Sequence, residues 1–246
     1  MIKSIWLIFA SMFFCFGFGL GQAQELGELN TGAVVRVANC SIDAPYTYEQ
    51  VVERARVLDW GENAPNAVFF RRPIYTSQEF QDNFDIQIAG YYLSFTEMVE
   101  KRIALGPNPG GRLPISCGAP FVVRTYNVQP GAGGWDQTAM TTSFCSLNEG
   151  SALISAYSRI MQVAGNYASA GDDTLVQMNV PSLGGPMNPT WDFVISEVGS
   201  SVEGLTERLD MRRNGFRAEL GNNSESSFTC GRRSMWATTR IYQANN

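Results

Sequence analysis

Two aspartates and two arginine–tyrosine pairs recur in both halves of this 246-residue sequence, and they are its best candidates for chemistry. Asp85 and Asp192 each follow an aromatic residue near the predicted start of a strand. A carboxylate beside an aromatic wall can act as a general base. Near the end of each half, an arginine precedes a tyrosine by two positions: Arg124 and Tyr126, then Arg240 and Tyr242. Because a guanidinium binds carboxylates and phosphates through two parallel hydrogen bonds, these arginines could hold an anionic substrate.

A structural role explains the same residues without any chemistry. Asp85 and Asp192 could cap the starts of strands. An arginine and a tyrosine two positions apart lie on one face of a strand, where they could pack across the interface between the halves. We favour this structural interpretation. The sequence also contains no histidine, so the usual Ser–His–Asp triad cannot form. Other arginines occur in pairs, namely Arg71-Arg72, Arg212-Arg213 and Arg232-Arg233. They could hold an anion, but in an acidic protein we interpret them as members of surface ion pairs.

The candidate residues recur because the sequence itself is repeated. The offset between Asp85 and Asp192 also relates other positions in the same order: Ile88 to Ile195, Ser94 to Ser201, Met98 to Leu205, and Glu100-Lys101 to Glu207-Arg208. Further along, Cys117-Gly118 corresponds to Cys230-Gly231. Each match is weak alone, and two unrelated halves with similar turn residues could share any one of them. Their common order predicts an internal duplication. Glu100 and Glu207 are interpreted as solvated helix faces.

The elements that position these residues can be read from hydrophobic patterns. In the first half, residues 33–38, 67–72, 84–93 and 121–126 are rich in β-branched and aromatic residues and are predicted strands. A helical spacing of apolar residues begins at Tyr48, and a second helix begins at Ser94, with Glu97 completing a capping box. The order strand, helix, strand, strand, helix, strand is the ferredoxin-like pattern, and the second half repeats it.

The chain begins with a predicted secretory signal peptide, residues 1–23. An apolar run follows Lys3, and small residues lead to Ala23. A membrane anchor is the alternative, but the run is shorter than the roughly 20 residues that span a bilayer. We therefore expect an exported protein, periplasmic or secreted, with no membrane association after cleavage. Its predicted domains are a first unit at 24–128, a linker at 129–137 and a second unit at 138–246.

Composition narrows the partners. The net charge of −5 argues against nucleic acid, because binding to nucleic acid depends on neutralising its phosphates. A metal site is not expected either, because the cysteines are far apart in sequence and histidine is absent. No cofactor is expected.

Four cysteines remain after the predicted signal peptide, which is typical of disulfides in an oxidising compartment. In a ferredoxin-like unit the first strand is central and the last strand pairs antiparallel with it, so the end of the first lies beside the start of the last. This topology predicts the bridges Cys40–Cys117 and Cys145–Cys230, with Cα atoms about 5–6 Å apart.

Two such units in one chain resemble the dimeric α/β-barrel superfamily, whose ferredoxin-like units pack sheet against sheet as dimers or fused tandems. The resemblance implies an α+β fold: two tandem ferredoxin-like βαββαβ units packed as an intramolecular pseudo-dimer, with one disulfide per unit. Members of the superfamily include cofactor-free monooxygenases, haem enzymes and proteins of no known activity, so the fold does not select a function. A haem-dependent role is disfavoured, because no histidine is present to serve as a proximal ligand.

Two functions follow as expectations. The first is a non-catalytic exported module that binds a small, largely apolar ligand, or another protein, in cavities between each sheet and its helices. The alternative is a cofactor-independent, monooxygenase-like enzyme that acts on a small apolar or aromatic compound, with Asp85 or Asp192 as the base.

Overall fold

The computed structural model describes residues 29–77, 84–105, 113–131, 136–185, 189–213 and 226–244. The predicted signal peptide lies outside these ranges, as does part of the predicted linker. Within them, none of the helices has the length and apolar character needed to cross a membrane.

Both halves contain the predicted order of elements. The first half consists of β1 (Thr31–Ile42), α1 (Tyr48–Arg56), β2 (Ala67–Tyr75), β3 (Ile86–Tyr92), α2 (Phe95–Leu105), β4 (Ile115–Cys117) and β5 (Phe121–Gln129). The second half consists of β6 (Gln137–Leu147), α3 (Leu153–Ser169), β7 (Leu175–Leu183), β8 (Phe193–Val198), α4 (Val202–Arg213), β9 (Phe228–Cys230) and β10 (Ser234–Gln243). The short strands β4 and β9 are additions to the predicted pattern.

Eight of these strands form one closed antiparallel sheet. The strand order is β2-β3-β1-β5 in the first half and β7-β8-β6-β10 in the second. The halves join edge to edge, because β5 pairs with β7 and β10 pairs with β2. The short β4 and β9 pair with β1 and β6 respectively. The fold is therefore α+β with a closed sheet, consistent with a fused pair of ferredoxin-like units.

Helices cover the outer face of this sheet. Beneath α1, a buried cluster includes Val51, Phe70 and Ile86, and beneath α3 an equivalent cluster includes Tyr157 and Phe193. Side chains on alternate positions of the strands point to the inside of the closed sheet. The predicted spaces under α1 and α3 are thus occupied by apolar side chains of the protein itself.

The two predicted disulfides are confirmed. Cys40 is bonded to Cys117, and Cys145 is bonded to Cys230. Each bridge joins residues directly opposite each other, on β1 and β4 or on β6 and β9, with Cα atoms 4.0 Å apart. This distance is shorter than the expected 5–6 Å because side chains of directly opposed, non-hydrogen-bonded strand residues approach most closely.

The predicted helix start at Ser94 is confirmed, because the Ser94 side chain caps the helix. The Ser94 hydroxyl accepts a hydrogen bond from the Glu97 backbone N–H at 3.1 Å. At the matching position of the second half, the Ser201 hydroxyl accepts one from the Gly204 N–H at 3.0 Å. These caps fix where α2 and α4 begin relative to the strands before them.

Candidate functional site

The two predicted aspartates hold strands together. Asp85 Oδ2 accepts a hydrogen bond from the Ile42 backbone N–H at 2.7 Å, and Asp192 Oδ2 accepts one from the Leu147 N–H, also at 2.7 Å. Each carboxylate ties the start of the third strand of its half to the end of the first. Both aspartates are exposed, and each lies in its own half. An exposed carboxylate that already binds a backbone amide is poorly placed to take a proton from a substrate.

The predicted arginine–tyrosine pairs lie on β5 and β10, the strands through which the halves join. The Arg240 guanidinium pairs with the Asp136 carboxylate, and the Tyr242 ring lies 5.5 Å from the Trp60 ring between centroids. Tyr126 packs against the core of the second half. Arg124 differs from Arg240, because its side chain makes no hydrogen bond or ion pair with any residue that the structure describes. The structure does not bring the two pairs together.

A buried ionic cluster lies between β8 and α4 in the second half, and the sequence analysis did not find it. Its centre is Glu197, whose side chain is only 5% exposed. The Glu197 carboxylate accepts a hydrogen bond from the Thr141 hydroxyl at 3.0 Å. It also contacts three guanidinium groups, those of Arg212 at 2.9 Å, Arg208 at 3.2 Å and Arg233 at 3.5 Å. Glu197 is therefore compensated from several sides.

Two further contacts fix Arg208 within this cluster. Its guanidinium forms an ion pair with Asp172, and its central carbon lies 4.1 Å from the centroid of the Tyr167 ring. Arg208 is almost completely buried, whereas the side chains of Arg212 and Arg233 are 26% and 42% exposed. The interior of the cluster is thus fully paired, and its outer side is cationic.

The ionic cluster keeps Glu197 charged. Burial alone would raise the pKa of Glu197, because it removes the charged form from water. The positive charges of Arg212, Arg208 and Arg233 act in the opposite direction and hold that pKa well below its ordinary range. Glu197 is consequently ionised at neutral pH.

The matching place in the first half has a glycine where the second half has this carboxylate. Glu197 lies directly opposite Thr141 across β6 and β8. The corresponding pair across β1 and β3 is Arg36 and Gly90. The disulfide cysteines align Arg36 with Thr141, and the two capping aspartates align Gly90 with Glu197. In the first half, therefore, an arginine stands opposite a residue that has no side chain.

Three arginines surround that place on the outer face of the sheet. Arg36 lies on β1, Arg124 on β5 and Arg102 on α2. Burial, followed by the charge of Arg102, lowers the pKa of Arg36, so these two cations lie near each other. Arg124 is diagonal to Arg36 across the β1–β5 pairing, a separation that long side chains reach across. In the ranges that the structure describes, none of the three side chains has a hydrogen bond or an ion pair.

We call these residues, Arg36, Arg102 and Arg124, the arginine site. Beside it lies an apolar cluster of Val34, Tyr92, Met98 and Val122, with Phe95 at its edge. The acidic residue that approaches Tyr92 is Glu97, but its carboxylate is bound to Lys101 at 2.8 Å and to Asn66 at 3.0 Å. The arginine site therefore combines positive charge that no described acidic residue compensates with an adjacent apolar floor.

One signal in the sequence could have predicted both the ionic cluster around Glu197 and the arginine site. The offset that relates Lys101 to Arg208 also relates Gly90 to Glu197. An acidic residue in one copy and a glycine in the other, on a mostly apolar strand, marks a position where the two halves differ in charge. Arg124 was predicted as a ligand-binding residue, whereas Arg36 and Arg102 were missed.

The strand order and the closure of the sheet confirm the resemblance to the dimeric α/β-barrel superfamily. The sequence matches no family model and no curated protein. Among solved structures, the chain is similar to a haem-binding protein from Thermus thermophilus, with 8% identity and a TM-score of 0.48, covering 85% of this chain and 91% of that one. A monooxygenase-like protein from Lactobacillus acidophilus has 7% identity and a TM-score of 0.48, covering 85% and 94%.

A third similar structure is a mutant chlorite dismutase from Candidatus Nitrospira defluvii in complex with cyanide, with 12% identity and a TM-score of 0.46, covering 89% of this chain and 94% of that one. Likenesses this distant carry no information on the chemistry of this chain. The chain itself has no histidine, so none of its side chains can offer an imidazole to a haem iron. Function must therefore be argued from its own residues.

Proposed function

We propose that this protein is an exported, non-catalytic binding module, and that the arginine site of its first half holds a small molecule with a carboxylate or similar oxyanion head. The observation that supports the proposal is the set of three neighbouring arginines, Arg36, Arg102 and Arg124, that have no acidic partner within the described ranges. The ligand is expected to have an apolar body, because Val34, Tyr92 and their neighbours form an apolar floor beside the charges.

The second half provides a reference for this assignment. There, the carboxylate of Glu197 fills the corresponding place and binds three guanidinium groups. A carboxylate can accept about four hydrogen bonds and pairs with arginine through two parallel ones. An external carboxylate beside Gly90 would satisfy the first half in the way that Glu197 satisfies the second.

No contact in the described parts of the structure favours the alternative of a cofactor-independent monooxygenase. That function requires a base, and Asp85 and Asp192 are exposed and engaged with backbone amides. The expected apolar ligand is retained in modified form, as an amphipathic anion. A protein partner would have to present a carboxylate of its own to the same arginines.

Isothermal titration calorimetry with octanoate and benzoate tests the proposal, with octanol and benzyl alcohol as uncharged counterparts. The acids should bind and the alcohols should not. Replacing Arg36 or Arg124 by methionine should weaken octanoate binding about 10- to 100-fold, because a hydrogen bond to a charged group is worth about 1.5–3 kcal/mol. Arg159→Met, on α3 with a single bond to Gln162, is the matched control and should bind like the unmodified protein.

A second test places a carboxylate of the protein itself in the arginine site, through the substitution Gly90→Glu. A Cβ at Gly90 would lie 3.1 Å from Pro65 Cγ, so a side chain fits after a shift of a few tenths of an ångström. Gly90→Glu should abolish octanoate binding, whereas Gly90→Gln, equal in size but neutral, should weaken it less. Two results would contradict the proposal. One is octanoate binding of equal strength in the Gly90→Glu and Gly90→Gln proteins, and the other is equal affinity of the unmodified protein for the acids and the alcohols.

A further inference from the structure

A row of polar side chains crosses five neighbouring strands on the inside of the closed sheet. In spatial order it contains Thr138, Thr238, Arg71, Gln87 and Asn39, each directly opposite the next. These residues alternate along their strands with residues of the outer core, such as Phe70 and Ile86. The row is thus on the opposite face of the sheet from the arginine site.

Arg71 stands at the middle of this row, and no described residue gives it an acidic partner. Its Nη1 donates to Gln87 Oε1 at 2.9 Å, and its Nη2 donates to the Tyr91 hydroxyl at 2.7 Å. In the ranges that the structure describes, no carboxylate forms an ion pair with it. Among the described residues, the hydrogen-bond partners of this partly buried guanidinium are therefore neutral, although a charge removed from water normally has a counter-charge.

Two polar atoms on neighbouring residues of the row lack a hydrogen-bond partner among the described residues. They are Arg71 Nε and Thr238 Oγ1, and both atoms are buried. Thr238 as a residue is only 6% exposed, and it lies directly opposite Arg71 across β2 and β10. Because nearly all buried polar groups in native proteins are hydrogen-bonded, two neighbouring exceptions indicate a group that both atoms can bind.

We propose that a small monovalent anion, of the size of bromide or formate, binds between Arg71 Nε and Thr238 Oγ1 inside the closed sheet. Both atoms can donate a hydrogen bond, so the bound group must be an acceptor, and the charge of Arg71 selects a negative one. The bound anion must be small, because directly opposed residues on adjacent strands have Cβ atoms only about 5 Å apart. This site is separate from the proposed function and does not depend on it.

Bromide is a suitable probe because it can be located in crystals by its anomalous scattering. Crystals of the full chain soaked in sodium bromide should show an anomalous peak within hydrogen-bond distance of Arg71 Nε and Thr238 Oγ1. In solution, the melting temperature should rise with bromide concentration when sodium sulfate keeps the ionic strength constant.

Thr238→Val, which removes the hydroxyl at nearly constant volume, should weaken the bromide response about tenfold, and Arg71→Met should abolish it. Thr239→Val is the matched control, since its hydroxyl lies on the outer face and is bound to the Tyr48 hydroxyl. Three results would overturn the proposal. They are a water molecule in place of the bromide peak, bromide bound elsewhere as an adventitious ion only, and an unchanged bromide response of the Thr238→Val protein.

Discussion

Replacing Glu197 by glutamine tests the buried ionic cluster most directly. The substitution keeps the size and shape of the side chain but removes its charge. Arg212 and Arg233 then lose their ion pairs with Glu197, and Arg208 keeps its ion pair with Asp172. Removing one partner of a buried ion pair costs about 3–5 kcal/mol, because the other charge stays buried without compensation. Arg212 and Arg233 are partly exposed to solvent, which screens their charges and reduces the cost of losing Glu197. We therefore expect a loss near the lower end, about 3 kcal/mol.

Such a loss is measurable, because a domain of this kind is stabilised by about 5–15 kcal/mol in total. Urea unfolding followed by far-UV circular dichroism would give the free energy of unfolding, with fluorescence of the buried Trp236 as a second probe. Glu207→Gln on the same helix is the control: Glu207 is exposed, and its replacement should change the free energy of unfolding by less than about 0.5 kcal/mol.

The pH dependence gives a second test of the same cluster. Because the pKa of Glu197 in the folded protein is held below its ordinary value of 4.5, its stabilising contribution is complete above that value. The contribution is lost as pH falls below 4.5 towards the depressed pKa of the folded state. The Glu197→Gln protein should lack this part of the acid-induced loss. A destabilisation below about 1 kcal/mol, or an unchanged acid profile, would refute the reasoning.

Two further predictions concern the links between strands. Removing the second disulfide by Cys145→Ala with Cys230→Ala should lower the free energy of unfolding by about 4 kcal/mol, because the bridge closes a loop of 85 residues. Urea unfolding with and without reductant checks this. Equal urea midpoints for the variant and the unmodified protein without reductant would contradict it. Asp192→Ala should lower the stability by about 1–2 kcal/mol through loss of the bond to the Leu147 amide, and should leave octanoate binding unchanged by calorimetry. A large loss of binding would mean that Asp192 contacts the ligand.

Much of the fold could be predicted because it depends on local patterns that occur twice. The two disulfides follow from a topology that places the end of the first strand beside the start of the last. The capping serines follow from hydrogen bonds to residues three positions away. The aspartates were aligned by the repeat, but their bonds to Ile42 and Leu147 join residues distant in sequence. By contrast, β4 and β9 are three residues each, too short to show the alternation that marks a strand.

The charged clusters could not be predicted because their members come from distant parts of the chain. On β8, alternation places Glu197 on the same face as Phe193, so its burial could have been inferred. Its compensation could not, since Arg233 follows β9 and is remote in sequence. Arg36 lies in the mostly apolar strand β1. The alternation of residues predicts which face of the sheet it is on, but not that Arg102 and Arg124 lie near it.

The closure of the sheet has a consequence for how the chain folds. Its last joint pairs β2, residues 67–75, with β10, residues 234–243, so the ring cannot close until the whole chain is available. Contacts this distant in sequence slow the search for the native state. Until β7 and β10 arrive, β5 and β2 are open strand edges, able to pair with other chains. Each half therefore shields the other from self-association, and the interval between synthesis of the halves is when the molecule is most prone to aggregate.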